Sequence, residues 1–177
     1  LFNMDSCAGA EEIIWVEGEM DVLSLMEAGI DNVLSVPDGA PSVNAKDYST
    51  KFEFLKNCES FTASFKKHIL AVDNDGPGRV LEGELARRLG PEKCKRVTWP
   101  EGCKDANDAL VKIGKEKLGE LIQTAKNYPV AGIFEIEDII RDIGKLYEEG
   151  DSPGASPGWE VFRRYYTVRP GELTVVT

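Results

Sequence analysis

A regular alternation of short apolar runs and longer amphipathic stretches constrains the fold of this chain more than any other feature. Four runs rich in β-forming residues predict strands: EIIWV (12–16), NVLSV (32–36), HILAV (68–72) and CKRVTW (94–99). The stretches between them place apolar residues three or four positions apart, as helices do. Strands that alternate with helices predict an α/β fold, here a parallel four-stranded sheet with helices on both faces.

The predicted helices are described best by their apolar faces. The helix after the first strand is indicated by Val22, Leu23, Leu25 and Met26 at helical spacing, and Gly29 is expected to end it. One continuous helix over 51–67 is expected to turn inward Phe54, Leu55, Phe61 and Phe65. A further helix over about 78–89 carries on one face Leu81, Leu85 and Leu89, and two shorter helices follow the fourth strand.

Composition divides the chain into four segments. Residues 1–10 are an N-terminal extension, and residues 11–127 hold the alternating pattern. Residues 128–158 form a linker that contains one amphipathic helix and ends in the turn-rich DSPGASPG. The apolar stripe of that helix consists of Ile136, Ile139, Ile140, Ile143 and Leu146. Residues 159–177 begin a further domain with the strand-like GELTVVT.

Charge and composition limit the classes of protein. The formal net charge of −10 argues against a uniformly basic nucleic-acid surface and suits a metal site built from carboxylates. The four cysteines form no C-x-x-C pair and have no histidine at zinc-finger spacing, so we expect reduced thiols and no zinc. No stretch approaches the roughly 20 apolar residues of a membrane span, so no membrane partner is expected.

Acidic residues follow three of the predicted strands at the point where each strand ends. Asp73 and Asp75 follow the third strand, Glu17 and Asp21 follow the first, and Asp105 follows the fourth. In open α/β sheets, ligands bind at the carboxyl ends of the strands, so these acids are expected to converge at one edge. Each group also has a plain structural explanation, such as a helix cap or an acid-rich first helical turn.

The acids in AVDNDGPG are open to two interpretations, and a third, partial match is rejected. Two carboxylates at i and i+2 of an extended segment face the same side and can hold Mg²⁺ together with waters and phosphates. Asn-Asp-Gly is also ordinary turn chemistry. The segment starting at Asp73 partly fits a calcium EF-hand loop, but Pro77 offers no side-chain oxygen and the entering segment is predicted as a strand.

The pair VEGEMD and AVDNDGPG resembles the signature of the Toprim domain, over about residues 11–127. The resemblance implies a Rossmann-like fold, with Glu17 as general acid/base and Asp73 and Asp75 as ligands of Mg²⁺ or Mn²⁺. Asp21 and Asp105 would be additional metal or water ligands. Lys104 and Arg79 would meet substrate phosphates, although each is also explained as an ordinary surface cation.

Four blocks in order, VEGEMDVLSLMEAG, SVPDGAP, DNDGPG…ELARRLG and KDANDAL, resemble the primase half of phage-type primase–helicases. Within that family they look most like the Twinkle-like enzymes of plant or algal organelles. RPGELTVVT resembles the strand that leads into the Walker A loop of the attached helicase domain, and the amphipathic helix resembles the linker helix that joins neighbouring subunits. The sequence contains no G-x-x-x-x-G-K-[ST], so we expect no ATP hydrolysis from it.

The resemblance implies a primase that makes RNA primers from nucleoside triphosphates on single-stranded DNA by Mg²⁺-dependent nucleotidyl transfer. Template contacts would come from basic patches at 66–68 and 87–88. Expected partners are the helicase domain of the same or a neighbouring subunit, in a ring homo-oligomer of a mitochondrion or chloroplast, or of a bacterial or phage-host cytoplasm. Two alternatives remain: a non-catalytic module that binds single-stranded DNA and assembles a 5′–3′ helicase, and a Toprim nuclease.

Overall fold

A computed structural model describes residues 1–130, 132–134, 136–150, 154–161, 165–169, 171 and 173; at 137, 138, 141 and 142 it describes the backbone only. The chain forms two compact units, Leu1–Ala131 and Gly132–Thr177. No helix in these described ranges is both long and apolar enough to cross a lipid bilayer.

The first unit is built on one five-stranded sheet. The strands are β1 (Glu12–Val16), β2 (Val33–Ser35), β3 (Lys67–Leu70), β4 (Cys94–Arg96) and β5 (Lys126–Asn127), in the spatial order β2-β1-β3-β4-β5. The first four strands pair in parallel, which confirms the predicted α/β class. β5 pairs antiparallel with β4 and was not predicted, because its two exposed polar residues carry no strand pattern.

Helices cover both faces of this sheet, as predicted. Their bounds are α1 (Glu19–Glu27), α2 (Glu53–Asn57), α3 (Glu59–Thr62), α4 (Gly76–Leu89), α5 (Ala106–Ile113) and α6 (Lys115–Gln123). Two short 3₁₀ turns span Met4–Cys7 and Pro91–Lys93. The apolar sides of α2 and α4 belong to one core cluster, and those of α1, α5 and α6 belong to the cluster on the opposite face.

The central strand β1 explains why its sequence is a continuous apolar run. Ile13 and Trp15 pack into one core cluster, whereas Ile14 and Val16 pack into the other. A parallel strand that is covered on both faces has no polar side, so its residues do not alternate. The indole N–H of Trp15 donates to Nδ1 of buried His68, 3.2 Å away, which satisfies both polar groups inside the core.

One detail of the predicted helices was wrong. The continuous helix over 51–67 is instead the pair α2 and α3, which meet at Cys58, and β3 already begins at Lys67. In α1, Leu23 and Met26 are 49% and 36% exposed, and the buried polar positions are Asp21 and Ser24. Asp21 and Ser24 face α5, where Asn107 forms hydrogen bonds with both.

The second unit contains the predicted amphipathic helix, α7 (Ile136–Glu149). Its stripe, Ile136, Ile139, Ile140, Ile143 and Leu146, is 38–69% exposed. Ala155 and Val168 form an isolated antiparallel bridge further along this unit. Most of the predicted strand GELTVVT lies outside the described residues, so that element stays a prediction.

Candidate active site

The sheet topology creates one crevice at the carboxyl ends of β1 and β3. From this central pair, β2 lies on one side and β4 on the other, so the chain order reverses between β1 and β3. Such a reversal is where open α/β sheets bind ligands. Trp15 is in register with Leu70, and the Ala71 N–H donates to the Trp15 carbonyl at 2.8 Å. The residues that follow the two strands therefore leave the same edge of the sheet.

Asp73 and Asp75 lie at this edge and face one point. Asp73 is only 8% exposed, whereas Asp75 caps the N-terminus of α4, where its Oδ1 accepts from the Gly78 N–H at 2.9 Å. The remaining Oδ2 atoms of both carboxylates approach Nζ of Lys104, at 2.8 Å from Asp73 and 3.2 Å from Asp75. Two carboxylate oxygens thus converge on a single cation.

Gly78 allows α4 to begin this close to the preceding strand end. A Cβ atom at this position would overlap the Asp73 carbonyl oxygen and lie 2.8 Å from its carbonyl carbon. Both obstacles are backbone atoms, which cannot rotate aside. The glycine is therefore required by the close approach of helix and strand.

Lys104 is held at the site by its backbone as well as by its ion pairs. Its carbonyl accepts from the Asn74 N–H at 2.8 Å, and its own N–H donates to Oδ2 of Asp108 at 3.1 Å. The first of these bonds joins the loop after β3 to the loop after β4, and the second joins Lys104 to α5. Hydrogen bonds to the two aspartates raise the pKa of the Lys104 ammonium, so it stays charged.

The two aspartates titrate differently because their surroundings differ. Burial raises the pKa of Asp73, and the ammonium of Lys104 only partly opposes this shift. The Gly78 N–H lowers the pKa of Asp75, since it stabilises the ionised carboxylate at the start of the helix. Asp75 is thus the more firmly ionised of the two.

Glu17 lies across the crevice, directly after β1. Its Oε2 is buried and has no hydrogen-bond partner among the described residues. A Cβ at Gly39 would lie 3.4 Å from Oε1, so the 36–40 loop closes over this side chain. Burial raises the pKa of Glu17, and the charges of Asp73 and Asp75 raise it further. A half-buried carboxylate with a raised pKa and a free oxygen is suited to accept a proton.

Asp21 and Asp105 both lie close enough to Asp73 to interact with it electrostatically; Asp73 and Asp75 together are the D-x-D pair. Buried Asp21 accepts from the Asn107 N–H at 3.2 Å, and the Asn107 side chain donates to Ser24 Oγ at 3.0 Å. Burial, followed by the nearby charge of Asp105, raises the pKa of Asp21 to about 6. Asp105 itself caps α5 by accepting from the Asp108 N–H at 2.7 Å. Asp105 therefore forms the helix N-cap that its position in the sequence suggested, and its role as a metal ligand stays a prediction.

A cavity of 390 Å³ opens beside Asp73, between α4 and β4. Arg79 lines this cavity, together with an ion pair between Arg96 and Glu82. The Arg96 guanidinium donates to both oxygens of buried Glu82, at 2.9 and 2.6 Å, and this pair was not predicted from the sequence. The signal for this pair was a charged residue in the inward stripe of α4, between Leu81 and Leu85. A buried glutamate needs a partner of opposite charge.

The two predicted basic patches do not lie at this edge of the sheet. Residues 66–68 precede or begin β3, at the opposite end of the strand from the aspartates, and His68 is buried. Burial lowers the pKa of His68 to about 4, so its ring is neutral. Arg87 and Arg88 both pair with Glu84, and Arg88 also stacks 4.3 Å above the Phe52 ring.

The donor set fits a magnesium ion held by two carboxylates. In the part of the chain that is described, no three His, Cys, Asp or Glu side chains are arranged to hold a metal. Mg²⁺ commonly takes one or two carboxylates and completes its shell with waters and substrate phosphates. The convergent oxygens of Asp73 and Asp75 meet that requirement. The structure agrees with the rejection of an EF-hand loop, because β3 enters the segment and α4 begins at Gly76, inside the span that such a loop would occupy.

A family model described as Toprim-like matches residues 14–110, the part of the chain that contains β1 to β4, Glu17, Asp73 and Asp75. The chain belongs to this family. The Twinkle homolog protein, chloroplastic/mitochondrial, of Arabidopsis thaliana is 42% identical to this chain over an alignment of 190 positions. The alignment covers 100% of this chain and 27% of that protein. The predicted resemblance to plant organellar Twinkle-like proteins is thereby confirmed.

Two further relatives place the chain near primases. The primase homolog protein of Arabidopsis thaliana is 43% identical over 141 residues, covering 73% of this chain and 42% of that protein. This chain therefore spans less than half the length of either curated relative. The crystal structure of the primase fragment of the bacteriophage T7 primase-helicase protein superposes with a TM-score of 0.51 and 30% identity, covering 63% of this chain and 44% of that one.

Proposed function

We propose that this chain is the primase-type Toprim domain of a primase–helicase and makes RNA primers on single-stranded DNA by metal-dependent nucleotidyl transfer. One observation carries the proposal: the Oδ2 atoms of Asp73 and Asp75 converge on a single cation at the carboxyl edge that also bears Glu17. The names of the relatives, a Twinkle homolog, a primase homolog and a phage primase-helicase, support the same activity.

Each residue of the crevice has a role in this reaction. Asp73 and Asp75 would hold Mg²⁺ or Mn²⁺, and a metal bound there would supply positive charge toward the nucleotide phosphates and the departing pyrophosphate. Glu17 accepts the proton of the attacking 3′-hydroxyl, a task for which its raised pKa suits it. Asp21 and Asp105 orient waters behind the pair, while Lys104 and Arg79 face the phosphates of the incoming nucleoside triphosphate.

The test is a primer-synthesis assay with single-stranded template, labelled nucleotides and Mg²⁺. Glu17→Gln should lower the rate about 10²- to 10⁴-fold, the usual contribution of a general base. Asp75→Asn should abolish synthesis, although an asparagine can still cap α4. Glu11→Gln is the matched control, because Glu11 precedes the opposite end of β1, where it pairs with Lys66.

The same assay separates the three candidate activities. Short RNA products that require Glu17 and Asp75 support the primase. Shortened template would indicate a nuclease that uses the same acids. Retention of template with no covalent change would indicate a non-catalytic binding module. Wild-type rates in both Glu17→Gln and Asp75→Asn would refute the assignment of the site.

The exposed stripe of α7 favours a role in assembly beside the chemistry. Five large aliphatic side chains on one face of a helix normally mark a partner surface. In this proposal α7 binds the helicase domain of a neighbouring subunit in a ring, and residues 159–177 begin the helicase domain. The relative designated chloroplastic/mitochondrial supports the further part of this proposal, that the protein acts in a mitochondrion or chloroplast.

A further inference from the structure

Lys104 takes the position in which a divalent cation would contact the same two oxygens. Its Nζ lies 2.8 Å from Oδ2 of Asp73 and 3.2 Å from Oδ2 of Asp75. A Mg²⁺ ion needs those oxygens at about 2.0–2.1 Å. The two cations cannot share this point, because they would overlap and also repel each other.

The lysine side chain can leave without disturbing the backbone that carries it. The Lys104 carbonyl and N–H are bound to Asn74 and Asp108 whichever way the side chain points. The side chain is 52% exposed, so the ammonium can turn toward solvent or toward a phosphate. The ammonium group can therefore move while the backbone of Lys104 stays in place.

We propose that Lys104 is a resident counter-ion of the D-x-D pair, which competes with the divalent metal and keeps its affinity low until a nucleotide phosphate offers the ammonium another partner. This inference rests on the proposed function, since it takes Asp73 and Asp75 as the metal ligands. It predicts that removing the lysine has opposite effects on two ligands: the metal binds more tightly and the nucleotide binds less tightly. A residue that only binds phosphate would leave the affinity for metal alone unchanged.

The experiment measures Mn²⁺ binding without nucleotide, by titration calorimetry or by electron paramagnetic resonance. Lys104→Met should lower the Kd for Mn²⁺ roughly three- to tenfold, as expected from removing a partly exposed ion pair with two carboxylates. Lys104→Gln should act in the same direction, which covers the case in which the methionine variant does not fold. Lys66→Met is the control: it removes an equal charge from an ion pair with Glu11, at the opposite end of the sheet.

The outcomes are distinct. Tighter Mn²⁺ binding in both Lys104 variants, with no change in Lys66→Met, supports the competition. An unchanged or higher Kd in the Lys104 variants overturns it. If Asp73→Asn with Asp75→Asn binds Mn²⁺ like the wild type, the metal site lies elsewhere and the proposed function fails with the inference. If metal binding follows the predicted pattern but no primers form, only the primase assignment fails.

Discussion

Replacing Gly78 by alanine tests whether the close approach of α4 to the end of β3 positions the aspartates. The substitution should gain about 0.5–1 kcal/mol from the better helix propensity of alanine. Against this, the new methyl group would overlap the Asp73 carbonyl oxygen and lie 2.8 Å from its carbon. Overpacking of this kind costs about 1–3 kcal/mol, and the upper end applies because the obstacle is backbone.

The net result should be a loss of about 2 kcal/mol in the free energy of unfolding. At about 2–4 °C per kcal/mol, Tm should fall by roughly 4–8 °C. Because the helix can relieve the overlap only by moving away from Asp73, Mn²⁺ affinity should fall as well, by about tenfold. Thermal melts followed by circular dichroism and a Mn²⁺ titration measure the two effects.

Gly83→Ala in the same helix is the matched control. A Cβ there would meet only the Tyr128 hydroxyl, at 3.9 Å, which is an ordinary contact. This variant should therefore be more stable than the wild type, by up to about 1 kcal/mol, with unchanged metal affinity. If Gly78→Ala is as stable as Gly83→Ala and binds Mn²⁺ normally, the packing argument is refuted.

Three further predictions concern burial and assembly. Because the pKa of Asp21 is raised to about 6 in the folded protein, ionisation of Asp21 lowers the free energy of unfolding as pH rises from about 4 through 6. In EDTA, Asp21→Asn should therefore raise the free energy of unfolding by up to about 3 kcal/mol at pH 7.5 and leave it unchanged near pH 4. Urea titrations at the two pH values measure this difference. Arg96→Met should lower the free energy of unfolding by about 2 kcal/mol, because it leaves the buried Glu82 carboxylate without its ion-pair partner. A Glu82→Met, Arg96→Met double variant should recover most of this loss, and no recovery would refute the coupling. The Ile139→Glu, Ile143→Glu double variant should leave the first unit folded but impair assembly of the proposed ring. Size-exclusion chromatography of the full-length protein measures assembly, and normal assembly would contradict a role for α7.

The sequence predicted those elements that bury apolar residues in a regular pattern. The runs at β1 and β3 are apolar enough to be recognised without neighbours, and the parallel arrangement then places Glu17 and Asp73 at one edge. β5 escaped prediction because Lys126 and Asn127 are exposed and owe their conformation to pairing with β4. Local patterns carry no information about such edge strands.

The polar pairs of the site depended on tertiary contacts. Lys104 and Asp73 are 31 positions apart in the sequence, and they meet because the loops after β3 and β4 are joined by the Asn74 to Lys104 hydrogen bond. Asn107 similarly turns Asp21 inward from a different helix. Helical periodicity does not predict the buried position of Asp21, since it considers only the residue types within one segment.

The register between β1 and β3 makes the site independent of the length of the chain that joins them. The pairing of Trp15 with Leu70 fixes where both acids emerge, whereas residues 42–47 of the intervening connection are exposed. Doubling the length of a flexible loop costs only about 0.6 kcal/mol in closure entropy. The exposed residues 42–47 should therefore tolerate an insertion, such as a reporter domain after Asn44, without a change in the distance between the Glu17 and Asp73 carboxylates.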